Sequence, residues 1–279
     1  MPINLPQAYS KVLDEAFRLS ALTAPAFKGK YEIVGGTTKV FKIYSPTTVA
    51  MKDYSARKSA NSAATFGYEY QDAENTEQTV TASQDKYFAL NIDKADAKFS
   101  ADGSLDARTV MNAQIKEQVV PMIDKYNITK LADAGTKVVK ATTSADIFAT
   151  FLDLRAKQAN ALVPHSGCVA LVSASKFAHL KLDPAFSVPS ELSAHSRRSG
   201  DYGMIDGCLV IQVPDSYMPA KTDLILTHES AAAAPKILAD YNQGPFKEKA
   251  SGYYVNGRVV HEAFVFDKKK SGIFVLKSA

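Results

Sequence analysis

The chain has 279 residues, 46% of them hydrophobic and 22% charged, with a formal net charge of +4. That is enough apolar content for one large domain or two smaller ones with a packed core, and it excludes a disordered chain. A net charge this small does not imply a polyelectrolyte that coats nucleic acid as a free subunit. The charge is unevenly spread: residues 1–58 carry nine Lys and Arg against four Asp and Glu, residues 59–106 carry three against nine, and the remainder carries 21 against 16. The start, MPINLPQAY, lacks the basic residues and apolar stretch of a signal peptide, and no apolar run is long enough to span a bilayer, which points to a cytoplasmic protein with no membrane partner.

In chain order, Ser10 to Leu22 places apolar residues at helical spacing after a serine cap, an amphipathic arm. Lys39 to Tyr54 alternates as a strand broken at Pro46, and Ser55 to Gly67 has the small polar composition of a loop tip. Tyr68 to Ala82 returns as an acidic, threonine-rich ribbon, and Lys86 to Ile92 sets Phe88, Leu90 and Ile92 on one face. These pieces predict a long two-stranded excursion. Leu105 to Leu131 is the strongest helix, with a stripe at Met111, Ile115, Val119, Met122 and Tyr126 and a kink expected at Pro121, closed by Gly135. Thr143 and Asp146 announce a second helix through Ile147, Phe151 and Leu154.

Two apolar segments then stand out. Cys168 to Phe186 reads as strand, short helix and Asp-Pro stop; Gly200 to Pro219 reads as a tight turn at Asp206, a strand and a proline-bounded exit. Gly203, Asp206, Gly207 and Pro214 are the expected turn-shaping residues. Leu224 to Thr227 follows as strand and Ser230 to Tyr241 as an Ala-rich helix interrupted at Pro235. Val259 to Phe266 and Ile273 to Leu276 read as closing strands. The fold class is α+β.

The order of these pieces resembles the major capsid proteins of tailed bacteriophages, most specifically in TVTASQDKYFALNIDKAD (Thr79 to Asp96) and GMIDGCLVIQVP (Gly203 to Pro214). The resemblance implies an N-terminal arm at 1–37, an extended loop at 38–96, a peripheral domain with a spine helix at 97–144 and 246–279, and an axial domain at 145–245. It implies self-assembly into pentamers and hexamers of an icosahedral shell enclosing double-stranded DNA, with scaffolding, portal and decoration proteins as further partners. The location it implies is the virion capsid, after synthesis in the host bacterial cytoplasm. The chain begins almost directly with the arm, which predicts no long scaffolding extension to be removed. Relatives that cross-link use a loop lysine, for which Lys52 or Lys58 would stand here.

A two-stranded ribbon with few large apolar residues must lie on something else. Glu69, Asp72, Glu74 and Glu77, with no Lys or Arg between positions 59 and 85, suit a basic surface on an adjacent copy. The residues expected at that contact are Lys52, Arg57, Lys58, Tyr68, Glu69, Tyr70, Asp72, Glu74 and Glu77.

Catalytic and metal chemistry finds no matching pattern. His165, His179, His195, His228 and His261 fall singly, without chelating spacing, so no metal or other cofactor is expected. Ser166 lacks the flanking glycines of a hydrolase elbow, and Gly35 and Gly36 stand at the wrong distance from Lys39 for a phosphate loop. Cys168 and Cys208 read as reduced, buried residues. Arg197, Arg198 and Lys268 to Lys270 are short basic clusters that suit solvent or DNA phosphates. A tail or decoration protein of a phage, and a hydrolase using Ser166 or a histidine, are the alternatives to a capsid subunit, which is not an enzyme.

Overall fold

The computed structural model describes residues 21–29, 40–51, 72–99, 105–143, 146–182, 202–245 and 252–278. The expected loop tip lies outside these, as does the expected arm helix except for Ala21 and Leu22, which are not helical. The chain divides into two compact units, Ile33–Thr81 and the combination of Met1–Glu32 with Ala82–Ala279.

In the smaller unit, β1 (Val40–Pro46) and β2 (Asn75–Thr81) pair antiparallel without interruption, from Val40 opposite Thr81 to Pro46 opposite Asn75. Pro46 occupies the last rung, where its missing amide costs least. The next residue continues the ladder, Thr47 N–H donating to the Glu74 carbonyl at 2.9 Å. No side chain described in this unit is buried, so its described residues form no core of their own, and a two-stranded ribbon of that kind is marginal in isolation.

The larger unit runs β3 (Gln84–Asp93), α1 (Lys94–Phe99), α2 (Ala107–Gln114), a π-helical turn at Ile115–Val119, α3 (Val120–Ala134), β4 (Thr136–Val139), α4 (Ile147–Asn160), β5 (Cys168–Ser173) and α5 (Ala174–Leu182). It continues with β6 (Tyr202–Ile205), β7 (Cys208–Val213), β8 (Thr222–His228), β9 (Ala232–Ala233), β10 (Lys236–Pro245), β11 (Gly252–His261), β12 (Phe264–Val265) and β13 (Phe274–Lys277). The central sheet has six strands in the order β4-β13-β8-β5-β7-β6. β5 and β8 are buried along their whole described length except for His228, as strands covered on both faces must be. Their alternation sorts the core into two layers. Val169, Leu171 and Ile225 pack with Ile128 and Leu131 of α3, whereas Ala170, Val172 and Leu226 pack with Phe151 and Leu154 of α4 and Phe177 of α5.

A second sheet has the order β10-β11-β3. Its inner face carries Ile92, Val255 and Val259, and α2 packs on β11 and β10. Gly257 lets the aromatic rings of this face close over the strand, because a Cβ there would lie 2.5 Å from Phe88 and 2.6 Å from Tyr241.

Several expectations are corrected here. Lys86 to Ile92 forms a strand, but β3 pairs with β11, not with the hairpin, so the two-stranded excursion ends at Thr81. The closing strands, expected together beside the spine helix, divide: β11 joins β3, while β13 lies in the central sheet between β4 and β8. The Ala-rich helix at 230–241 is absent; β9 and β10 stand there instead. Ala231, Ala232 and Ala233 are buried at 2% exposure or less, and their backbone is approached so closely that a Cβ on Gly29 would meet the Ala232 carbonyl oxygen at 2.6 Å. Tertiary packing overrides the helical propensity of alanine at that point.

The spine helix also departs from its expected stripe. Val119 is buried as expected, but beyond it the buried positions are Asp124, Asn127, Ile128, Leu131 and Ala132, while Met122 and Tyr126 are half-buried. The step from 119 to 124 is five residues and directly follows the π turn at Ile115–Val119, which precedes Pro121. Widening that turn accommodates a proline that has no amide to give and shifts the buried face by one residue. Gly135 does end the helix, yet with φ −79° and ψ 157° it is not a left-handed cap. Its glycine is required by packing, since a Cβ would lie 2.7 Å from Val275 and 2.8 Å from Ile273.

Candidate assembly surfaces and the buried anchors behind them

Of the expected contact residues, Asp72, Glu74 and Glu77 are described; Lys52, Arg57, Lys58, Tyr68, Glu69 and Tyr70 lie outside the described residues. Glu77 is answered within its own hairpin: Lys42 Nζ stands 2.7 Å from its Oε1. The hydrogen bond from Lys42 holds the Glu77 carboxyl below its usual range, and the same bond raises the lysine. Exposed pairs of this kind stabilise little and chiefly fix geometry. Asp72 and Glu74 are exposed and have no ion-pair partner among the described residues. The same unit exposes Tyr44 at 59% and Met51 at 99%.

The Asp206–Gly207 turn joins β6 to β7 with φ +48° and +68°, the double left-handed geometry of a two-residue hairpin that Asp-Gly favours. Gly203 lies within β6 opposite Val210, and Pro214 follows β7, its carbonyl accepting from Tyr217 N–H at 2.9 Å. Behind the turn sits Arg155, 6% exposed. Its Nη1 donates to Gln158 Oε1 at 2.6 Å and to Cys168 Sγ at 2.8 Å. Its Nη2 donates to the Asp206 carbonyl at 3.2 Å and to His165 Nδ1 at 2.9 Å, and its Nε lies 3.5 Å from the Asp206 carboxylate. A guanidinium has no acceptor, so His165 Nδ1 must carry the lone pair. One side chain on α4 thus holds the turn, the loop before β5 and the start of β5.

Glu262 forms the second anchor. Its carboxylate accepts from Ser83 N–H at 2.7 Å, from the Tyr126 hydroxyl and from Ala263 N–H at 3.2 Å, with Lys130 Nζ at 3.3 Å. This joins the first turnings of the chain after Thr81 to the spine helix. Burial pushes the Glu262 carboxyl up, but hydrogen bonds from Tyr126, Ser83 and Ala263 outweigh it and leave it below its ordinary value. A carboxyl lowered in the folded state contributes stability above the unfolded value, about 4.3, that is lost as pH falls through the folded value. The melting-temperature advantage of the wild type over Glu262→Gln is therefore expected to hold constant from pH 7 to about 5 and to shrink below about 4. Thermal melts across that series check it, and an advantage unchanged down to pH 3 contradicts it.

A third anchor fixes the segment before β1. Asp124 on α3 accepts from Leu22 N–H at 2.9 Å, Thr23 N–H at 3.3 Å and Thr23 Oγ1 at 2.5 Å, and Asn127 Nδ2 donates to the same hydroxyl at 3.0 Å. Sequence reading missed all three anchors because their partners lie far apart in the chain. The available signal was a charge or amide at an apolar-stripe position, as Asp124 stands to Ile128 and Leu131, and Arg155 beside Leu154.

Other candidates are placed without a convergent site. His228 Nε2 meets the Ser166 carbonyl at 2.8 Å and its Nδ1 meets Ser230 Oγ at 2.9 Å. Cys168 and Cys208 are register partners on adjacent parallel strands and both are free thiols; burial pushes the Cys208 thiol up to about 12. Lys270 pairs with Asp267 at 2.6 Å and Lys269 donates to the Ser230 carbonyl at 2.8 Å. Gly35, Gly36, His195, Arg197 and Arg198 lie outside the described residues. Among the described residues no three His, Cys, Asp or Glu side chains gather as a metal set, and no helix is long and apolar enough to cross a membrane.

No family model matches the sequence, and no curated protein matches it. Solved structures do match, over nearly the whole chain. A chain from Mycobacterium phage Che8 superposes with a TM-score of 0.75 at 21% identity, covering 98% of this chain and 97% of that one. A chain of the capsid structure of cyanophage P-SCSP1u gives 0.73 at 12% identity, covering 99% and 93%. One from the head structure of Helicobacter pylori bacteriophage KHP40 gives 0.72 at 14%, covering 99% and 95%. The chain therefore has the α+β fold found in phage capsids, as the resemblance implied.

Proposed function

We propose that this chain is the major capsid protein of a tailed phage, a structural subunit that associates into pentamers and hexamers of an icosahedral shell around double-stranded DNA. The observation that carries this reading is the agreement of fold over the full length of both partners, including the 93% and 95% of the chains from the P-SCSP1u capsid and the KHP40 head. The hairpin supports it: Ile33–Thr81 is a separate compact unit with no buried side chain described in it, and such a ribbon gains stability from a surface beyond itself. In this reading the hairpin is the extended loop, the β10-β11-β3 sheet with the spine helix is the peripheral domain, and the six-stranded sheet with α4 and α5 is the axial domain. Obligate interfaces of this kind bury about 2,000 Å² or more, and no catalytic step is needed. Scaffolding, portal and decoration proteins and the packaged DNA are the further partners, and the location is the virion, after assembly in the host cytoplasm. Expression of the full chain followed by negative-stain imaging tests the reading: closed shells or five- and six-fold capsomers support it, and rings or tubes would favour a tail component.

A further inference from the structure

A cavity of about 210 Å³ in the larger unit has Asp124, Asn127, His261, Glu262, Lys236 and Phe27 on its walls. Five of the polar residues lining it are almost fully buried: Thr23, Asp124, His261 and Glu262 at 2% and Asn127 at 3% exposure. The Asp124 carboxylate is held by two backbone amides and one hydroxyl, all neutral, and among the described residues no cation pairs with it. A buried carboxylate satisfied only by neutral donors still carries an uncompensated charge. Asn127 is oriented by the bond from Nδ2 to Thr23, which leaves its Oδ1 as a buried acceptor without a donor. His261 Nδ1 is likewise buried and unpartnered. The walls bear two carboxylates against the ammonium of Lys236, and Glu262 is already engaged with Lys130.

We propose that this cavity binds a guanidinium group. The group is planar and cationic, with five N–H donors and no acceptor, so its donors can meet the Asp124 charge and the Asn127 oxygen together, and it brings no lone pair to face the carboxylate. Carboxylate recognition by such a group is charge-assisted and directional, and Phe27 is an aromatic neighbour on the same cavity lining. The group has two sources, an arginine side chain of a second copy of this chain or a free guanidino compound. The first source rests on the capsid reading; the chemistry of the cavity does not.

Calorimetric titration of the purified full-length chain with methylguanidinium chloride, against sodium chloride as control, tests the cavity whether or not shells form. Saturable binding at millimolar concentration is expected for the wild type, weakened at least about tenfold by Asp124→Asn. Ala234→Leu, which fills the cavity from a wall residue that makes none of these hydrogen bonds, is expected to abolish it and keeps the test decisive where Asp124→Asn fails to fold. No saturable binding by the wild type, or equal binding by Ala234→Leu, overturns the proposal. In a high-resolution map, density continuous with a neighbouring copy identifies an arginine as the source, and isolated planar density seen only with methylguanidinium identifies a free ligand. Ordered water alone in the cavity under that ligand overturns it.

Discussion

The double variant Glu69→Lys, Glu74→Lys is expected to leave the subunit folded and to remove shell formation. Glu74 is exposed and contributes only its backbone carbonyl to the hairpin ladder, so reversing its side-chain charge leaves the register of β1 and β2 untouched. Glu77 is a poor choice for this experiment, because its charge is already engaged by Lys42. If the acidic arm docks on a basic surface of an adjacent copy, each reversal sets like charges against each other at a contact repeated in every subunit. Weakening each contact by about 1.4 kcal/mol already costs tenfold in its equilibrium constant, and like-charge juxtaposition costs several-fold more energy. Shell yield is accordingly expected to fall by more than about tenfold while the circular dichroism and thermal melt of the subunit stay as in the wild type. Undiminished shells from the double variant contradict the docking of this arm.

Arg155→Ala is expected to lower the stability of the larger unit by about 1–3 kcal/mol. The substitution withdraws the donors that Gln158 Oε1, His165 Nδ1 and the Asp206 carbonyl now use, and Gln158 is fully buried. His165 and Asp206 are exposed and can turn to water, but the buried Gln158 Oε1 keeps only the weak Cys168 thiol donor at 3.3 Å and retains its desolvation cost. Arg155→Met, which keeps the apolar stem, recovers only the packing part. Chemical denaturation of both variants measures the difference, and a loss below about 1 kcal/mol for Arg155→Ala shows that water takes over the role of the guanidinium.

Strands β5, β7 and β8 were legible from β-branched runs bounded by Gly, Pro and Asp, because strands buried on both faces need little more than that composition. The Asp206–Gly207 turn was legible for a local reason as well, since the dipeptide supplies both left-handed positions. What escaped was set by distant partners. The alanines at 231–233 read as helix until Phe264 and Val265 pair with them. The spine helix was found, but its inner face moved by one position at the π turn, which no periodicity before Pro121 announces. Asp124, Arg155 and Glu262 each hold residues tens to more than a hundred positions away, so a sequence shows only an ill-placed charge. On the candidate surface, residue type and acidic bias were readable, whereas the internal use of Glu77 by Lys42 required the register of the hairpin.

Imaging the assembled product of the full-length chain, expressed alone and together with the neighbouring genes of its source, tests the central claim most directly. Closed icosahedral shells in which the Ile33–Thr81 hairpin of one copy lies on its neighbour are the predicted result. A stable monomer that forms neither capsomers nor shells in either setting would contradict it.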